Sequence, residues 1–340
     1  MKLRQSYINP KIDAVVRKIR KKNFKPRKHA HALCWREREY LEGEVKAGVI
    51  ILPTMGCRWG RKSGCTMCGY VYDASSLSQS ELLEEFIRCL DKLDNVEYLK
   101  IFNSGSFFDE EEIRAETREK IFEEINKRKI RRVQVETRPE FLNEENLDKS
   151  LSKLDSELEI GLGIETVSDY VRINCINKNS LFKDYKRAIR LCRSLGAFVK
   201  AYLLLKPPFL TEKEAMDDCV SSAIKLSKLV DRISINPVNV QKGTLVELLF
   251  RNGEYRPPWL WSLLEVMRKI KEKVSIPLLS HPVAAGKPRG VHNCGKCDHR
   301  VYRAIVNFSA TQNGEYLDEV DYCRCREEWD SILRFEHLKY

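Results

Sequence analysis

Residues 53–70, Pro-Thr-Met-Gly-Cys-Arg-Trp-Gly-Arg-Lys-Ser-Gly-Cys-Thr-Met-Cys-Gly-Tyr, place three cysteines on one glycine-rich segment, here called the cysteine loop. The loop follows directly after residues 47–52, a short apolar run rich in β-branched residues that is ended by Pro53 and is typical of a buried strand. Three thiols on one loop, those of Cys57, Cys65 and Cys68, indicate a metal site.

The spacing of these cysteines leaves more than one kind of site open. Cys65 and Cys68 form a CxxC pair, as in a thioredoxin-like redox site or half of a zinc site. A redox pair has no use for Cys57, and a structural zinc needs a fourth ligand nearby, whereas the next cysteine, Cys89, falls inside a predicted amphipathic helix. Three thiolates without a fourth ligand favour a 4Fe–4S cluster with one open iron, which can bind S-adenosylmethionine (SAM).

The cysteine loop resembles that of the radical SAM enzymes, although seven residues (58–64) separate its first two cysteines where three are usual. In the common pattern an aromatic residue before the third cysteine touches the adenine, and here that residue is Met67. Three later runs are similar to the Elongator catalytic subunit family: residues 135–140 (VETRPE), 158–165 (LEIGLGIE) and 206–215 (KPPFLTEKEA). Within that family the loop resembles the radical SAM group that makes archaeosine in archaeal tRNA, as do residues 235–241 (INPVNVQ) and 257–261 (PPWLW).

The body of the chain alternates strand-like and helix-like segments, which predicts βα units and a parallel sheet. The predicted strands are Val49–Leu52, Tyr98–Asn103, Arg132–Thr137, Leu158–Ile164, Phe198–Leu204 and Arg232–Asn236. The predicted amphipathic helices are Ser80–Leu93, Glu110–Arg128, Asn143–Leu154, Phe182–Leu195 and Glu212–Val230. The radical SAM resemblance implies that the six units form a partial TIM-like (βα)6 barrel of the α/β class.

Polar residues follow all six predicted strands. The cysteine loop follows the first strand, Asn103–Ser106 the second, Glu136 and Arg138 end the third, Glu165 ends the fourth, Lys206 follows the fifth and Asn236 ends the sixth. Because parallel β/α barrels gather their chemistry at the carboxyl ends of the strands, these positions predict one shared site.

The resemblance implies SAM-binding roles for Ser104, Gly105, Ser106, Glu136, Arg138, Glu165 and Lys206. Ser104–Ser106 resembles the small-residue turn whose backbone approaches the SAM amino group, and the alternative is an ordinary turn. The Glu165 carboxylate is expected to accept hydrogen bonds from the SAM ribose hydroxyls, and the alternative is an acid at a helix N-terminus. The Arg138 guanidinium is expected to bind the SAM carboxylate through two hydrogen bonds, and the alternative is an ion pair with Glu136. Lys206 precedes two prolines, and this rigid turn would direct its ammonium into the barrel mouth. The alternative is a lysine on a surface turn.

A second cysteine group lies near the C-terminus. Cys294 and Cys297 form a CxxC pair and Cys323 and Cys325 a CxC pair, which together predict a four-thiolate zinc site. His281, His292 or His299 is a possible replacement for one cysteine, most naturally Cys325, and unliganded cysteines are the alternative. The surrounding sequence is basic and predicts an RNA-carrying surface, with Lys287, Arg289, Lys296, Arg300 and Arg303 against one acid, Asp298.

Almost all of the formal net charge of +11 is in the first 28 residues, which hold eleven Lys or Arg and one acid, Asp13. Such an arm suits a phosphate backbone, but Ile12, Val15, Val16 and Ile19 have helical spacing, so a solvated helix face is the alternative. The tRNA substrate that the resemblance implies favours RNA. We divide the chain into a basic arm with an entry helix (1–46), a barrel (47–250) and a C-terminal zinc-binding, RNA-contacting domain (251–340).

The 340 residues are 43% hydrophobic and 32% charged, which is typical of a soluble globular protein. No apolar run approaches the ~20 residues of a membrane span, and the N-terminus lacks the apolar core of a signal peptide, so we expect a cytoplasmic protein. Twelve cysteines in such a chain indicate metal sites and free thiols rather than disulfides. Cys89, Cys192 and Cys219 fall on apolar helix faces, where we expect them to be buried.

The resemblance implies an enzyme that uses a reduced cluster at Cys57, Cys65 and Cys68 to cleave SAM to a 5′-deoxyadenosyl radical. The implied substrate is the lysine adduct of 7-cyano-7-deazaguanine in the tRNA D-loop, made by a lysine-transferring, transglycosylase-like partner subunit. Breaking its carbon–nitrogen bond would give archaeosine, a lyase reaction that needs an external electron donor. The alternatives are another Elongator-like tRNA-modifying enzyme, and a non-catalytic zinc protein that binds RNA. A methylthiotransferase is disfavoured because the remaining cysteines form no second cluster triad.

Overall fold

A computed structural model describes residues 7–23, 27–28 and 30–337 of the chain. Its strands are β1 Leu33–Tyr40, β2 Glu44–Leu52, β3 Tyr98–Asn103, β4 Arg132–Thr137, β5 Glu157–Glu165, β6 Phe198–Leu205, β7 Arg232–Pro237 and β8 Leu278–Leu279. Its helices are α1 Pro10–Asn23, α2 Arg58–Lys62, α3 Gln79–Leu90, α4 Ala115–Asn126, α5 Glu144–Lys153, α6 Asp169–Val171, α7 Phe182–Ser194, α8 Glu212–Leu226, α9 Leu245–Arg251, α10 Leu260–Lys271, α11 Asp298–Thr311, α12 Glu315–Asp318 and α13 Cys325–Phe335. Short 3₁₀ turns at Tyr70–Asp73 and Pro139–Phe141 and a π-helical turn at Arg172–Ile176 complete the list.

The strands form one eight-stranded sheet in chain order, from β1 to β8. Strands β2 to β8 pair in parallel, and β1 pairs antiparallel with β2. The predicted partial β/α barrel is therefore confirmed, because its six predicted strands are β2 to β7. Strands β3 and β4 have the predicted bounds, while β2 starts earlier, at Glu44.

Strand β1 was not predicted, because the sequence analysis assigned residues before 47 to the arm and its helix. Its sequence, LCWREREY, is rich in charge and looks like a loop. In the fold, Glu39 of β1 is fully buried with cations around it. Its carboxylate lies 2.8 Å from Lys100 Nζ and 3.1 Å from Arg232 Nη2. A strand with an alternating charged face is stable here because that face meets a charged barrel interior, where each buried ion has partners.

The predicted helices form, with shifted ends. Helix α3 begins with a capping box between Ser78 and Glu81, and α8 begins with one between Thr211 and Glu214. Helix α4 starts at Ala115 rather than at the predicted residue 110. Residues 109–114 form turns instead, which lets the buried side chain of Glu112 reach the end of the sheet.

The C-terminal helices share the core of the barrel. Trp261 of α10 and Trp329 of α13 are buried in the same apolar cluster as the strands β2 to β8. Trp329 Nε1 donates to Ser262 Oγ at 2.8 Å, which joins the last helix to α10. The division at residue 251 stays a prediction. Among the described residues, no helix has the length and apolar character needed to cross a membrane.

Candidate active site

The cysteine loop leaves the end of β2 and is held from several sides. Cys57 N donates to Ser104 O at 3.0 Å, in the turn after β3, and Cys68 N donates to Cys65 O at 3.3 Å. All three thiols are half-buried. A single ion requires ligand atoms within about 4.8 Å of one another. Among the described residues, the sulfurs of Cys57, Cys65 and Cys68 do not form such a group. A multi-iron cluster, which binds each thiolate at a different iron, is served by this wider spacing.

Helix α1 clamps the cysteine loop. Arg20 is 4% exposed, and its guanidinium donates to Ser63 O and to Cys68 O, both at 3.0 Å. Ser63 Oγ donates to Asp13 Oδ1 at 2.6 Å. Gly64 has φ +112°, and a Cβ there would collide with the Arg20 guanidinium, so glycine is required on two grounds. The helix expected to be either an RNA contact or a solvated face therefore buries one face on the metal-binding loop.

The segment after β5 also holds the cysteine loop. Trp59 Nε1 donates to Asn177 O at 2.8 Å, and Asn177 Nδ2 donates to Gly64 O at 2.9 Å. Thr66 Oγ1 donates to Cys175 O at 2.7 Å. These bonds fix the loop, and with it the three cysteines, relative to the barrel end.

The predicted small-residue turn, Asn103–Ser106, is organised by a carboxylate that the sequence analysis missed. Glu112 accepts hydrogen bonds from Ser106 N at 2.8 Å, Asn103 Nδ2 at 2.8 Å and Thr54 Oγ1 at 2.6 Å. A Cβ at Gly105 would collide with the Glu112 carboxylate, so only glycine fits. Burial raises the pKa of Glu112 to about 7, against the lowering effect of its three donors.

Arg138 and Glu136 end β4 beside this turn. Arg138 N donates to Ser106 Oγ at 3.0 Å, and its guanidinium donates to Glu140 Oε1 at 2.7 Å. The ion partner of Arg138 is thus Glu140, so the alternative pairing with Glu136 is wrong. Burial raises the pKa of Glu136 to about 7, while a hydrogen bond with Tyr202 acts to lower it.

Glu165 is the last residue of β5 and has φ +66°, a left-handed conformation that is costly for a residue with a side chain. Its carboxylate forms an ion pair with Lys178, which the sequence analysis missed. At Gly163 a Cβ would lie only 2.8 Å from Lys178 Nζ. The absence of a side chain at Gly163 therefore leaves room for the Lys178–Glu165 ion pair beside the strand end.

Lys206 also has a positive φ, +61°. Its ammonium lies 2.6 Å from Glu212 Oε2 at the start of α8, and both side chains are buried. Tyr255 donates to Lys206 O at 2.7 Å. The ammonium is thus engaged by a carboxylate of the fold, and its contact with a cofactor stays a prediction.

The residues at this end of the barrel fit a cluster and SAM. The donor set is three thiols, which is the set that binds three irons and leaves one open. Gly105, in the turn after β3, leaves room for the Glu112 carboxylate, and Gly163, near the end of β5, leaves room for the Lys178–Glu165 ion pair. Asn103 Oδ1 is buried and has no hydrogen-bond partner among the described residues, which provides an acceptor for a polar ligand.

The four C-terminal cysteines converge. Their sulfurs all lie within 4.8 Å of one another, as a single tetrahedral ion requires. Asn293 Nδ2 donates to Cys297 Sγ and Trp261 Nε1 donates to Cys325 Sγ, both at 3.3 Å, and such bonds stabilise thiolates. Neither His281 nor His292 belongs to the group: His281 lies with two glutamates of β1, and His292 Nδ1 bonds Gly290 O at 2.7 Å.

Comparisons with known proteins agree with this geometry. The sequence profile of the Radical SAM superfamily matches residues 51–219. Archaeosine synthase subunit beta of Methanosarcina acetivorans is 42% identical over 319 residues, 91% of each chain. The protein of the same name from Thermococcus kodakarensis is 38% identical over 311 residues, 88% of this chain and 95% of that one. The archaeal Elp3 of Methanocaldococcus infernus shares the fold, with a TM-score of 0.50 and 15% identity over 62% of this chain and 55% of that one.

The barrel, the cysteine loop at its carboxyl end and the superfamily match define a radical SAM enzyme, a class that uses a 4Fe–4S cluster and SAM. Within that class, the chain belongs to the archaeosine synthase subunit beta family.

Proposed function

We propose that this protein is the radical SAM lyase of archaeosine formation, acting on tRNA that carries a lysine adduct of 7-cyano-7-deazaguanine. The reaction would break the bond between the lysine side-chain carbon and the nitrogen attached to the base, and the lysine fragment would leave as an aldehyde, with its oxygen from water and two electrons accepted by SAM. That nitrogen stays on the base as the amidine of archaeosine. The observation that carries the proposal is 42% identity with an archaeosine synthase subunit beta along 91% of both chains.

The residues at the barrel end divide into two roles in this proposal. Cys57, Cys65 and Cys68 hold the cluster. The SAM-binding residues are Ser104, Gly105, Ser106, Glu136, Arg138, Glu165 and Lys206. When bound, these groups supply a radical from SAM, and the protein positions SAM and substrate and excludes water.

The residues around the site favour polar recognition of SAM by fixed groups. Glu112 holds the Ser104–Ser106 turn through Ser106 N, and Lys178 holds the Glu165 carboxylate in place. Preorganised groups of this kind lose little entropy when a ligand binds.

The proposal includes partners. The word "subunit" in the names of the relatives supports an assembly with a second chain, which we propose is the lysine-transferring, transglycosylase-like enzyme. An electron donor reduces the cluster. The four C-terminal cysteines bind zinc, and residues 251–340 contribute to holding the tRNA.

The first test is metal analysis of protein purified without air. We expect about four irons, with sulfide, and about one zinc per chain, and a visible absorption band that dithionite bleaches. Two zincs and no iron after reconstitution would instead favour the non-catalytic RNA-binding zinc protein.

The second test is conversion of lysine-adduct tRNA with SAM and a reductant, followed by nucleoside analysis. We expect archaeosine with the wild-type protein, and none above the reductant-free background with Cys57→Ala. Cys34→Ala is the matched control, because Cys34 is also half-buried but lies on β1. Conversion by Cys57→Ala at the wild-type rate would refute the proposal.

A further inference from the structure

We propose that the outer face of α7, together with the outer face of α1, is the surface on which the tRNA phosphate backbone lies beside the barrel mouth. This inference rests on the proposed function, because it takes tRNA as the substrate. It names a different surface from the basic C-terminal segment suggested by the sequence.

Helix α7 has one apolar and one basic face. Phe182, Tyr185, Ala188, Ile189 and Cys192 are buried. The exposed face carries five cations, Lys183, Lys186, Arg187, Arg190 and Arg193. The only acid of the helix, Asp184, is used at the helix start, where it accepts a hydrogen bond from Leu181 N at 2.9 Å. Ten residues of helix separate the first and last cation, so the stripe is roughly 15 Å long.

The cations of α7 follow one another along a single helix face without acidic partners, whereas some exposed lysines of other barrel helices are paired. On α5 and α8, Lys149 lies 2.6 Å from Glu119 and Lys213 lies 2.8 Å from Asp217. Within the described part of the chain, Lys183, Lys186, Arg187 and Arg190 form no ion pair. A row of unpaired cations attracts anions from solution, and a phosphate backbone can replace those anions.

Helix α1 extends this surface. Its buried face, with Asp13, Val16 and Arg20, contacts the cysteine loop and the residues around it. Lys11, Lys18 and Lys21 are exposed and have no ion-pair partner among the residues described. The same helix therefore positions the metal-binding loop on one side and presents cations on the other.

The segment just before α1 contacts the start of α7 next to the barrel mouth. Tyr7 N, just before α1, donates to Asn179 Oδ1 at 2.9 Å, and Lys183 Nζ lies 5.5 Å from the centre of the Tyr7 ring. Asn179 is the neighbour of Lys178, which pairs with Glu165 at the end of β5. A backbone lying along α7 and α1 would thus pass the strand ends that carry the site.

An exposed aromatic ring at this junction favours RNA over an acidic protein. Tyr170 of α6 is 72% exposed, and its carbonyl accepts a hydrogen bond from Asn174 Nδ2 at 3.0 Å. Asn174 Oδ1 in turn accepts one from Asn9 Nδ2 at 3.0 Å, which ties the tyrosine segment to α1. An aromatic side chain beside unpaired cations suits stacking on an unpaired base next to bound phosphates.

The test removes four charges at once: Lys183→Gln, Lys186→Gln, Arg187→Gln and Arg190→Gln. The matched control removes four exposed lysines that form no ion pair with any described residue, by Lys92→Gln, Lys120→Gln, Lys129→Gln and Lys153→Gln. The probe is an unmodified archaeal tRNA transcript, and its Kd is measured over a salt series. We expect the slope of log K against log salt to fall in magnitude by roughly 3 to 4 for the α7 variant, at about 0.7–0.9 for each of four lost phosphate contacts, and to stay unchanged for the control.

A second variant, Tyr170→Ala, separates stacking from charge. We expect it to weaken tRNA binding roughly 5- to 160-fold, as the loss of one stacked base does, without changing the salt slope. Circular dichroism of each variant checks that the fold is retained.

Two outcomes have different meanings. If wild-type protein converts lysine-adduct tRNA and the α7 variant binds tRNA with the wild-type salt slope, the surface is wrong and the proposed function stands. If the wild-type protein neither binds nor converts tRNA, the proposed function fails and the surface with it. A raised KM for adduct tRNA with unchanged kcat in the α7 variant supports the surface.

Discussion

Glu112 illustrates how a single side chain joins the ends of two strands and the turn that follows the second. Three donors, from Thr54 after β2, Asn103 of β3 and Ser106 of the turn, converge on one buried carboxylate. A carboxylate offers only acceptors, which is why this arrangement suits Glu and not its amide.

Glu112→Gln tests this arrangement. One amide N–H of the glutamine would face a donor, leaving a buried group unsatisfied at a cost of roughly 1–3 kcal/mol. Burial raises the pKa of Glu112 to about 7 in the folded chain, above the ordinary value of 4.5. Its contribution to stability is therefore fully present below pH 4.5 and is lost as the pH rises to about 7.

Urea unfolding of both proteins between pH 4.5 and 8 measures this effect. We expect the free energy of unfolding of the wild type, relative to Glu112→Gln, to fall with rising pH and to level off above pH 7. The exposed Glu116→Gln is the control. A difference that is the same at every pH would contradict the assigned role.

Arg20→Met tests the clamp of α1 on the cysteine loop. The variant leaves the carbonyls of Ser63 and Cys68 without the donors they have in the wild type. We expect lower stability by roughly 1–3 kcal/mol and less iron retained after gel filtration of reconstituted protein. Lys18→Met, an exposed change on the same helix, serves as the comparison, and equal iron retention in both would count against the clamp.

At the scale of the element, the C-terminal cysteine group joins α10, α11 and α13. Cys297 is buried at the start of α11, and Cys325 begins α13 with its sulfur 3.3 Å from Trp261 Nε1. A metal at this point would tie three helices together, as structural zinc does in small domains.

Cys297→Ser tests whether the C-terminal cysteine group binds zinc and joins the three helices. We expect the zinc content to fall from about one per chain to near zero and the midpoint of thermal unfolding to decrease, because a serine hydroxyl is a poor zinc ligand. Cys34→Ser should leave the zinc content unchanged. Full zinc occupancy in Cys297→Ser would show that the cysteines do not form the predicted site.

For the whole molecule, the barrel and the C-terminal helices share one apolar cluster, which extends from β2 to α13. Segments that share a core are expected to unfold together. The residues at the boundary, Trp259 and Trp261, are buried in that core rather than in a linker.

Equilibrium unfolding in urea checks this expectation. Three of the five tryptophans, Trp259, Trp261 and Trp329, lie in the C-terminal part, so tryptophan fluorescence reports mainly on it, while far-ultraviolet circular dichroism reports on the whole chain. We expect the two transitions to coincide. A fluorescence transition at clearly lower urea would mean that residues 251–340 form a separately unfolding domain.

The sequence by itself determined the six parallel strands, their helices and the two cysteine groups. These depend on local signals: apolar runs of strand length, helical periodicity, and thiols placed close together along the chain. Only the tertiary structure decided that Glu112 and Lys178 support the site, that α1 clamps the cysteine loop, and that the charged strand β1 joins the sheet. The physical reason is that a buried charged side chain is stable only beside its partners, and those partners lie far away in the sequence: Arg20 is 48 residues from Cys68, and Glu39 is 61 residues from Lys100.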